Sequence, residues 1–200
     1  NLVFITSDGQ GHRLPGYLFE EIKQPISLSD LFTFNPKKTK VVGAFSGDPT
    51  NLLPQEVILG TTRGLIKRTE VGEFINCGDN FPVVKFRGDK DQLVFARVLV
   101  DPREYMILIS DRGMAIKFPA ESVSVLGRIA GGVQGISLKD DDQLAWGGME
   151  NGFKLLQIET NRGGKATVDI KAIKIQNRAG KGTNIMKMVL DEQVDMVVPK

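Results

Sequence analysis

A short pattern that recurs four times is the feature that most constrains the fold of this chain. Each copy is an apolar, β-branched run that ends in a polar turn and a glycine. The copies are Leu2–Gly9, Val57–Gly64, Met106–Gly113 and Leu156–Gly163. Their final glycines lie 55, 49 and 50 positions apart. Because glycine adopts the positive φ that a tight turn needs, each copy predicts a β-hairpin.

A second apolar segment repeats with the same period, so each repeat holds at least three strands. Its copies are Val41–Phe45, Leu93–Leu99, Leu144–Trp146 and Val194–Val198. Units of about 50 residues with several strands are typical of propeller blades, and one such sheet buries too little surface to fold alone. The sequence predicts an all-β, propeller-like ring with little helix, rather than the alternative, an ordinary β-sandwich. It would form a single domain, 1–200, with approximate repeats 1–48, 49–99, 100–150 and 151–200.

Composition limits the chemistry available to the chain. Its 200 residues include 26 Lys and Arg against 24 Asp and Glu, so net charge alone does not indicate a nucleic-acid partner. One cysteine excludes an internal disulfide, and one histidine leaves too few ligands for an ordinary zinc site. No apolar run approaches the roughly 20 residues that cross a bilayer, and the first residues lack the features of a signal peptide. We therefore expect a cytoplasmic protein with no metal, no cofactor and no membrane partner.

Basic residues recur in register with the hairpins and with the loops between them. Equivalent positions in a ring are evenly spaced around it, and side chains two positions apart on a strand share a face. The pattern therefore predicts a positive track along one edge of the ring, where a polyanion could bind. Taken singly, each cation is better explained as a solvated residue that protects a strand edge, and only the recurrence in register favours a binding role for the set. The candidate contacts are Arg13, Arg63, Lys67, Arg68, Arg112, Lys117, Arg128, Arg162, Lys165, Arg178 and Lys181.

The segments Val57–Phe74 and Met106–Leu138 resemble the C-terminal domain of the A subunits of bacterial gyrase and topoisomerase IV. The resemblance covers nearly the whole chain and implies a β-pinwheel whose blades exchange a strand with their neighbours. It also implies that duplex DNA is bound and bent around the outer edge and presented for strand passage. The implied partners are the DNA, an ATPase B subunit, and the rest of the A subunit. The chain would not itself be an enzyme, since the catalytic tyrosine and the ATPase of the parent topoisomerase would lie outside it, together with the bound ATP and Mg²⁺.

Gyrases carry a Gln-Arg-Arg-Gly-Gly-Lys-Gly box, which one segment of this chain resembles imperfectly. The segment consists of Gln176, Asn177, Arg178, Ala179, Gly180, Lys181 and Gly182. It has Asn177 for the first arginine and Ala179 for the first glycine, and it lies in the last repeat, whereas gyrases carry the box in the first blade. This degenerate match favours topoisomerase IV over gyrase but does not separate the two. A propeller that binds only other proteins is the alternative function, and the near-neutral net charge supports it.

Overall fold

The computed structural model describes residues 1–20, 22–46, 55–139 and 141–200. Helix is scarce, as the sequence predicts, and consists of α1 (Tyr17–Glu20), α2 (Gly72–Ile75) and three single 3-10 turns. Within the described ranges no helix is long and apolar enough to cross a membrane. The strands are β1 (Leu2–Thr6), β2 (Gln10–Leu14), β3 (Val41–Ser46), β4 (Glu56–Thr61), β5 (Leu65–Glu70), β6 (Asn80–Pro82), β7 (Leu93–Leu99), β8 (Tyr105–Ser110), β9 (Met114–Pro119), β10 (Val133–Gln134), β11 (Leu144–Met149), β12 (Leu155–Thr160), β13 (Lys165–Asp169), β14 (Thr183–Asn184) and β15 (Val194–Pro199).

The strands form four antiparallel sheets, which we call blades 1 to 4. Their strand orders are β3-β1-β2-β6, β10-β5-β4-β7, β11-β8-β9-β14 and β13-β12-β15. In the first three blades the outermost strand comes from the following repeat: β6 pairs with β2, β10 with β5, and β14 with β9. The predicted all-β pinwheel of four blades is therefore confirmed, and each of these three blades combines residues of two sequence repeats.

The four predicted hairpins form because the turn glycines adopt a backbone conformation that other residues avoid. Gly9, Gly64, Gly113 and Gly163 have φ values of 79°, 72°, 72° and 80°. The amide of each glycine donates to the carbonyl three residues earlier, at 2.9 to 3.0 Å. These turns join β1 to β2, β4 to β5, β8 to β9 and β12 to β13.

The core lies between blades that pack face to face. The inner strands β3, β7, β11 and β15 contact one another in succession, so the blades follow one another around a common axis. Residues 57–59 of β4 are all buried, because a strand with a blade on each side has no solvent face. Phe95 packs so closely against Gly60 and Gly147 that neither position has room for a Cβ.

Candidate nucleic-acid interface

Arg13 and Arg68 occupy equivalent positions, and both bind the segment that the next repeat donates. Arg13 Nη1 donates to the carbonyl of Ile75 at 2.8 Å, and its guanidinium pairs with Asp79 at 3.2 Å. Arg68 Nε donates to the carbonyl of Val123 at 2.7 Å. These contacts hold the exchanged segments against the acceptor blades, so both side chains have a structural role.

Arg128 and Arg178 also bind exchanged strands, which explains why they lie 50 positions apart. The Arg128 guanidinium donates to the carbonyl of Pro82, at the end of β6, and lies 5.3 Å from the centre of the Phe81 ring. Arg178 makes the equivalent contact with the carbonyl of Gln134, at the end of β10. The period that suggested a DNA track thus follows from the repeated strand exchange.

Lys67 and Lys117 lie inside the protein, which corrects the expectation that they belong to an outer track. They are 2% and 6% exposed, because β5 and β9 are covered by neighbouring parts of the chain. Lys67 Nζ donates to the carbonyl of Gly127 at 3.1 Å and to that of Arg128. Burial, assisted by the nearby Arg128 charge, lowers the pKa of Lys67 to about 8. Lys117 forms an ion pair with Glu150.

The segment that resembles the gyrase box is bound through its backbone to β9 of blade 3 and to the residue that follows β10. The Gln176 amide donates to the carbonyl of Lys117 at 2.8 Å, and the Ala179 amide donates to that of Gly135 at 2.8 Å. Ala179 has a φ of 67°, in the left-handed region that glycine favours. Lys181 is the one cation of this segment whose side chain is exposed, since Arg178 is partly covered.

The remaining candidates lie beside the hairpin turns. Arg63 and Arg162 precede two of the turn glycines and are exposed. Arg112 is partly exposed and pairs with Asp141 at 3.4 Å. Lys165 is exposed and pairs with Glu159 at 2.7 Å. The candidates that stay accessible to a ligand are therefore Arg63, Arg112, Arg162, Lys165 and Lys181.

Two clefts beside the turns of blades 2 and 3 bring several of these cations together with others that the sequence pattern did not reveal. The first encloses about 600 Å³ and the second about 580 Å³, and Lys139 lines both. In the first cleft Arg63 is joined by Arg87 and Lys90. In the second, Arg112 is joined by Lys181. We call this set the turn-side cluster: Arg63, Arg87, Lys90, Arg112, Lys139 and Lys181.

Arg87 and Lys139 are equivalent in the structure, although the turn glycines do not reveal it. Pro82 lies opposite Gln10 and Gln134 lies opposite Leu65, each at the first position after a turn glycine. Arg87 and Lys139 each follow that residue by five positions, in the segment that leads to the inner strand. Counting from the exchanged strands would have found them, but those strands have only two or three residues and no sequence signature.

Two acidic side chains beside the cluster already accept hydrogen bonds from backbone amides of the turns. Asp91 accepts from the Arg63 amide at 3.3 Å, and Asp142 accepts from the Arg112 amide at 3.1 Å. Burial, together with the charge of Asp142, raises the pKa of Asp111 to about 6. In the part of the chain that the structure describes, Arg112 is the one member of the cluster that forms an ion pair. The two clefts are lined by the six cations of the cluster and by two carboxylates, Asp141 and Asp142, so the cluster keeps a net positive charge for an anionic ligand.

Comparison with known proteins places this fold in a family. The model of the "DNA gyrase C-terminal domain, beta-propeller" matches residues 1–25, 55–99, 104–146 and 160–198, more than half of the chain. The chain belongs to this family. All four turn glycines of this gyrase-type domain fall within the matched segments, and so do all six cations of the turn-side cluster. The family match therefore covers both the hairpins that build the blades and the candidate interface.

Relatives with curated names agree with this assignment. The chain is 30% identical to the DNA gyrase A subunit of Helicobacter pylori (strain ATCC 700392 / 26695), over 98% of this chain and 26% of that protein. It is 27% identical to the DNA gyrase A subunit of Mycolicibacterium smegmatis, over 90% of this chain and 22% of that protein. The chain thus spans about a quarter of the length of the curated relatives it matches.

The fold is similar to two solved C-terminal domains. The crystal structure of the C-terminal domain of DNA topoisomerase IV superposes with a TM-score of 0.86 at 19% identity, covering 100% of this chain and 63% of that one. The structure of the DNA gyrase A C-terminal domain gives a TM-score of 0.77 at 23% identity, with 100% and 65% covered. Among the residues described for this gyrase-type domain, no three His, Cys, Asp or Glu side chains come together as a metal site.

Proposed function

We propose that this chain is a DNA-binding, non-catalytic domain of a type II topoisomerase A subunit, and that it binds and bends duplex DNA along the turn-side cluster. The observation that carries the proposal is the pair of adjoining clefts that share Lys139 and gather six cations on one side of blades 2 and 3. Membership of the gyrase C-terminal domain family is consistent with a DNA-binding role.

Binding would occur through the phosphate backbone and not through base edges. Lys and Arg side chains that neutralise phosphates supply affinity without sequence information, so we expect little sequence preference. Bending a site of 20 to 30 base pairs costs on the order of 1 to 6 kcal/mol, so contacts from more than one blade are needed to hold the bend. The cluster meets this requirement because Arg63 and Arg112 lie in the turns of two adjoining blades, and its other cations lie on segments next to exchanged strands.

The bent duplex would be presented to a cleavage core that lies outside this chain. We propose that ATP hydrolysis and Mg²⁺ chemistry also take place outside it, in an ATPase B subunit or in the rest of the A subunit. The domain would then act in the cytoplasm, where bacterial DNA lies. The competing function is that of a propeller that binds only proteins. In that case the domain would not bind DNA.

Reversing charges at opposite ends of the blades distinguishes DNA binding along the turn-side cluster from protein binding alone. Arg87→Glu combined with Lys139→Glu removes two cations of the cluster. Arg103→Glu combined with Lys154→Glu makes the same charge change before β8 and β12, at the ends of these hairpins away from the turns. Fluorescence anisotropy with an end-labelled duplex measures affinity, and energy transfer between the two duplex ends measures bending.

We expect wild type to bind and bend the duplex at low salt. The cluster variant should lose about tenfold or more in affinity, and the control variant much less, because phosphate contacts act over short range in salt. Absence of binding by wild type would favour the protein-binding propeller. Equal losses in the two variants would show that overall charge, and not the cluster, determines the affinity.

A further inference from the structure

The segment that resembles the gyrase box, residues 176–182, contains a strained backbone position. Ala179 has a φ of 67°. A residue with a side chain rarely adopts this left-handed conformation, and it persists only where surrounding contacts hold it. Ile129 follows Arg128 as Ala179 follows Arg178, but Ile129 does not have a positive φ. The strain therefore belongs to this segment and not to the loop in general.

The left-handed turn directs two backbone groups at the exchanged segment of the preceding repeat. The Ala179 amide donates to the carbonyl of Gly135 at 2.8 Å. The Gly180 carbonyl accepts from the amide of Ser137 at 2.9 Å. These two bonds join an exchanged segment of repeat 4 to one of repeat 3, so the strain at Ala179 is accompanied by a contact between repeats.

Arg178 adds its side chain to the same contact. Its Nη1 donates to the carbonyl of Gln134, and its Nε donates to that of Ser122 at 3.1 Å. One repeat earlier, Arg128 makes the equivalent arginine contact with Pro82. Among the residues that the structure describes, however, the loop after Arg128 makes neither of the two backbone bonds. Only the later loop thus combines the arginine with a backbone connection.

Residues 134–137 in turn hold the hairpin turn of blade 2. The Gly135 amide donates to the carbonyl of Gly64 at 2.8 Å, and Gln134 Nε2 donates to that of Arg63 at 3.3 Å. The same residues separate the two clefts, since Gln134 lines the first and Ser137 the second. A continuous series of hydrogen bonds therefore runs from Arg178 to the turn that carries Arg63.

We propose that Arg178, Ala179 and Gly180 form a clamp that fixes the two clefts relative to each other. Arg63 lines the first cleft, and Lys181, next to the clamp, lines the second. A bent duplex relaxes unless its contacts keep their spacing, so the clamp determines how well the bend is held. Arg178 is then a positioning residue that does not contact DNA. This inference rests on the proposed function.

Two substitutions of Arg178 separate positioning from a direct phosphate contact. Arg178→Ala removes both the charge and the bonds. Arg178→Lys keeps the charge, but an ammonium lacks the planar fork that reaches two carbonyls. The matched comparison is Lys181→Ala, which changes an exposed cation of the same segment. Fluorescence anisotropy over a salt series gives the number of phosphate contacts, and energy transfer between the duplex ends gives bending.

We expect both Arg178 variants to keep the salt dependence of wild type and to lose energy transfer at saturating protein. Lys181→Ala should instead have a salt slope shallower by about 0.9, the value for one phosphate. A shallower slope for Arg178→Ala, together with bending like wild type for Arg178→Lys, would show a direct contact and overturn the proposal. Unchanged energy transfer in both Arg178 variants would also overturn it.

Hydrogen exchange tests the clamp without DNA. The Gly135 amide donates to Gly64 and not to the clamp, so its protection reports how firmly residues 134–137 are held. Arg178→Ala should speed its exchange. The Val83 amide, which donates to Gly9 at 2.8 Å in blade 1, should exchange as in wild type. Unchanged protection of Gly135 would refute the clamp. If wild type bound no DNA, the proposed function would fail, and this measurement would still decide whether the clamp exists.

A further variant probes the strain while keeping every hydrogen bond of the clamp. Ala179→Gly should raise the melting temperature, because glycine adopts a positive φ without steric cost. The control Ala130→Gly makes the same change where φ is not positive, and it should lower the melting temperature because glycine adds freedom to the unfolded chain. An equal decrease in the two variants would contradict a strained clamp at Ala179.

Discussion

Lys67 offers a quantitative test of how the domain holds its exchanged segments. Its ammonium lies inside the protein, where it donates to the carbonyls of Gly127 and Arg128 in the loop before β10. Burial and the Arg128 charge disfavour the charged form and lower the pKa of this lysine from 10.5 to about 8. The lysine therefore binds the loop at the cost of a buried charge.

The sign of the pH dependence follows from the two pKa values. Between about pH 8 and 10.5 the unfolded chain keeps a proton on Lys67 that the folded chain has lost. The stability of the fold therefore rises with pH across that window. At 1.36 kcal/mol per pKa unit, the full shift corresponds to on the order of 3 kcal/mol.

The assay compares wild type with Lys67→Met by urea unfolding at several pH values from neutral to about 10.5. The variant leaves two carbonyls without their donor, a cost that does not change with pH. The difference in unfolding free energy should therefore move in favour of wild type by about 2 to 3 kcal/mol as pH rises through the window. A difference that stays constant from neutral pH upward would refute the assigned pKa and the buried charge.

Three further perturbations have defined outcomes. Asp111→Asn should be more stable than wild type above about pH 6 in chemical unfolding, because the raised pKa of Asp111 shows that its charge is disfavoured. That advantage should shrink as pH falls towards 4, and a constant advantage would contradict the assignment. Arg178→Ala should lower the unfolding free energy by about 1 to 3 kcal/mol in a urea titration, because the carbonyl of Gln134 loses its donor. Unchanged stability would show that this contact is not needed. Gly147→Ala should lower the melting temperature because its Cβ would collide with Phe95, whereas Gly152→Ala, with open space around it but a φ of 78°, measures the backbone cost alone. A smaller loss for Gly147→Ala than for this control would contradict the packing between blades 2 and 3.

The fold could be predicted from the sequence because its signals are local. Each turn glycine and the apolar run before it act within one hairpin, and their common period identifies the blades. The exchanged strands left no such signal, since β10 and β14 have two residues each and are fixed by contacts with another repeat. Their existence was implied only by the resemblance to a family.

The candidate site was harder to predict because basic residues can recur periodically for two reasons. They can form a binding surface, or they can make the same structural contact in each repeat. Arg128 and Arg178 recur because each binds the strand exchanged one repeat earlier, which a sequence pattern cannot distinguish from a surface track. Lys67 belongs to no periodic series, and lysine is rarely buried, so the sequence carries no sign that two carbonyls bind it in the interior. Arg87 and Lys139 could be recognised as equivalent only from the residue pairing of the exchanged strands β6 and β10.

The salt dependence of duplex binding tests the central claim most directly, because it counts the phosphate contacts that the cluster makes. The observed association constant of wild type should fall as a power of salt concentration, with a slope near −0.9 for each phosphate neutralised. For Arg87→Ala combined with Lys139→Ala the slope should be shallower by about 1.8, and for Arg103→Ala combined with Lys154→Ala it should match wild type. Equal slopes for wild type and the Arg87, Lys139 variant would contradict the assignment of DNA to the turn-side cluster.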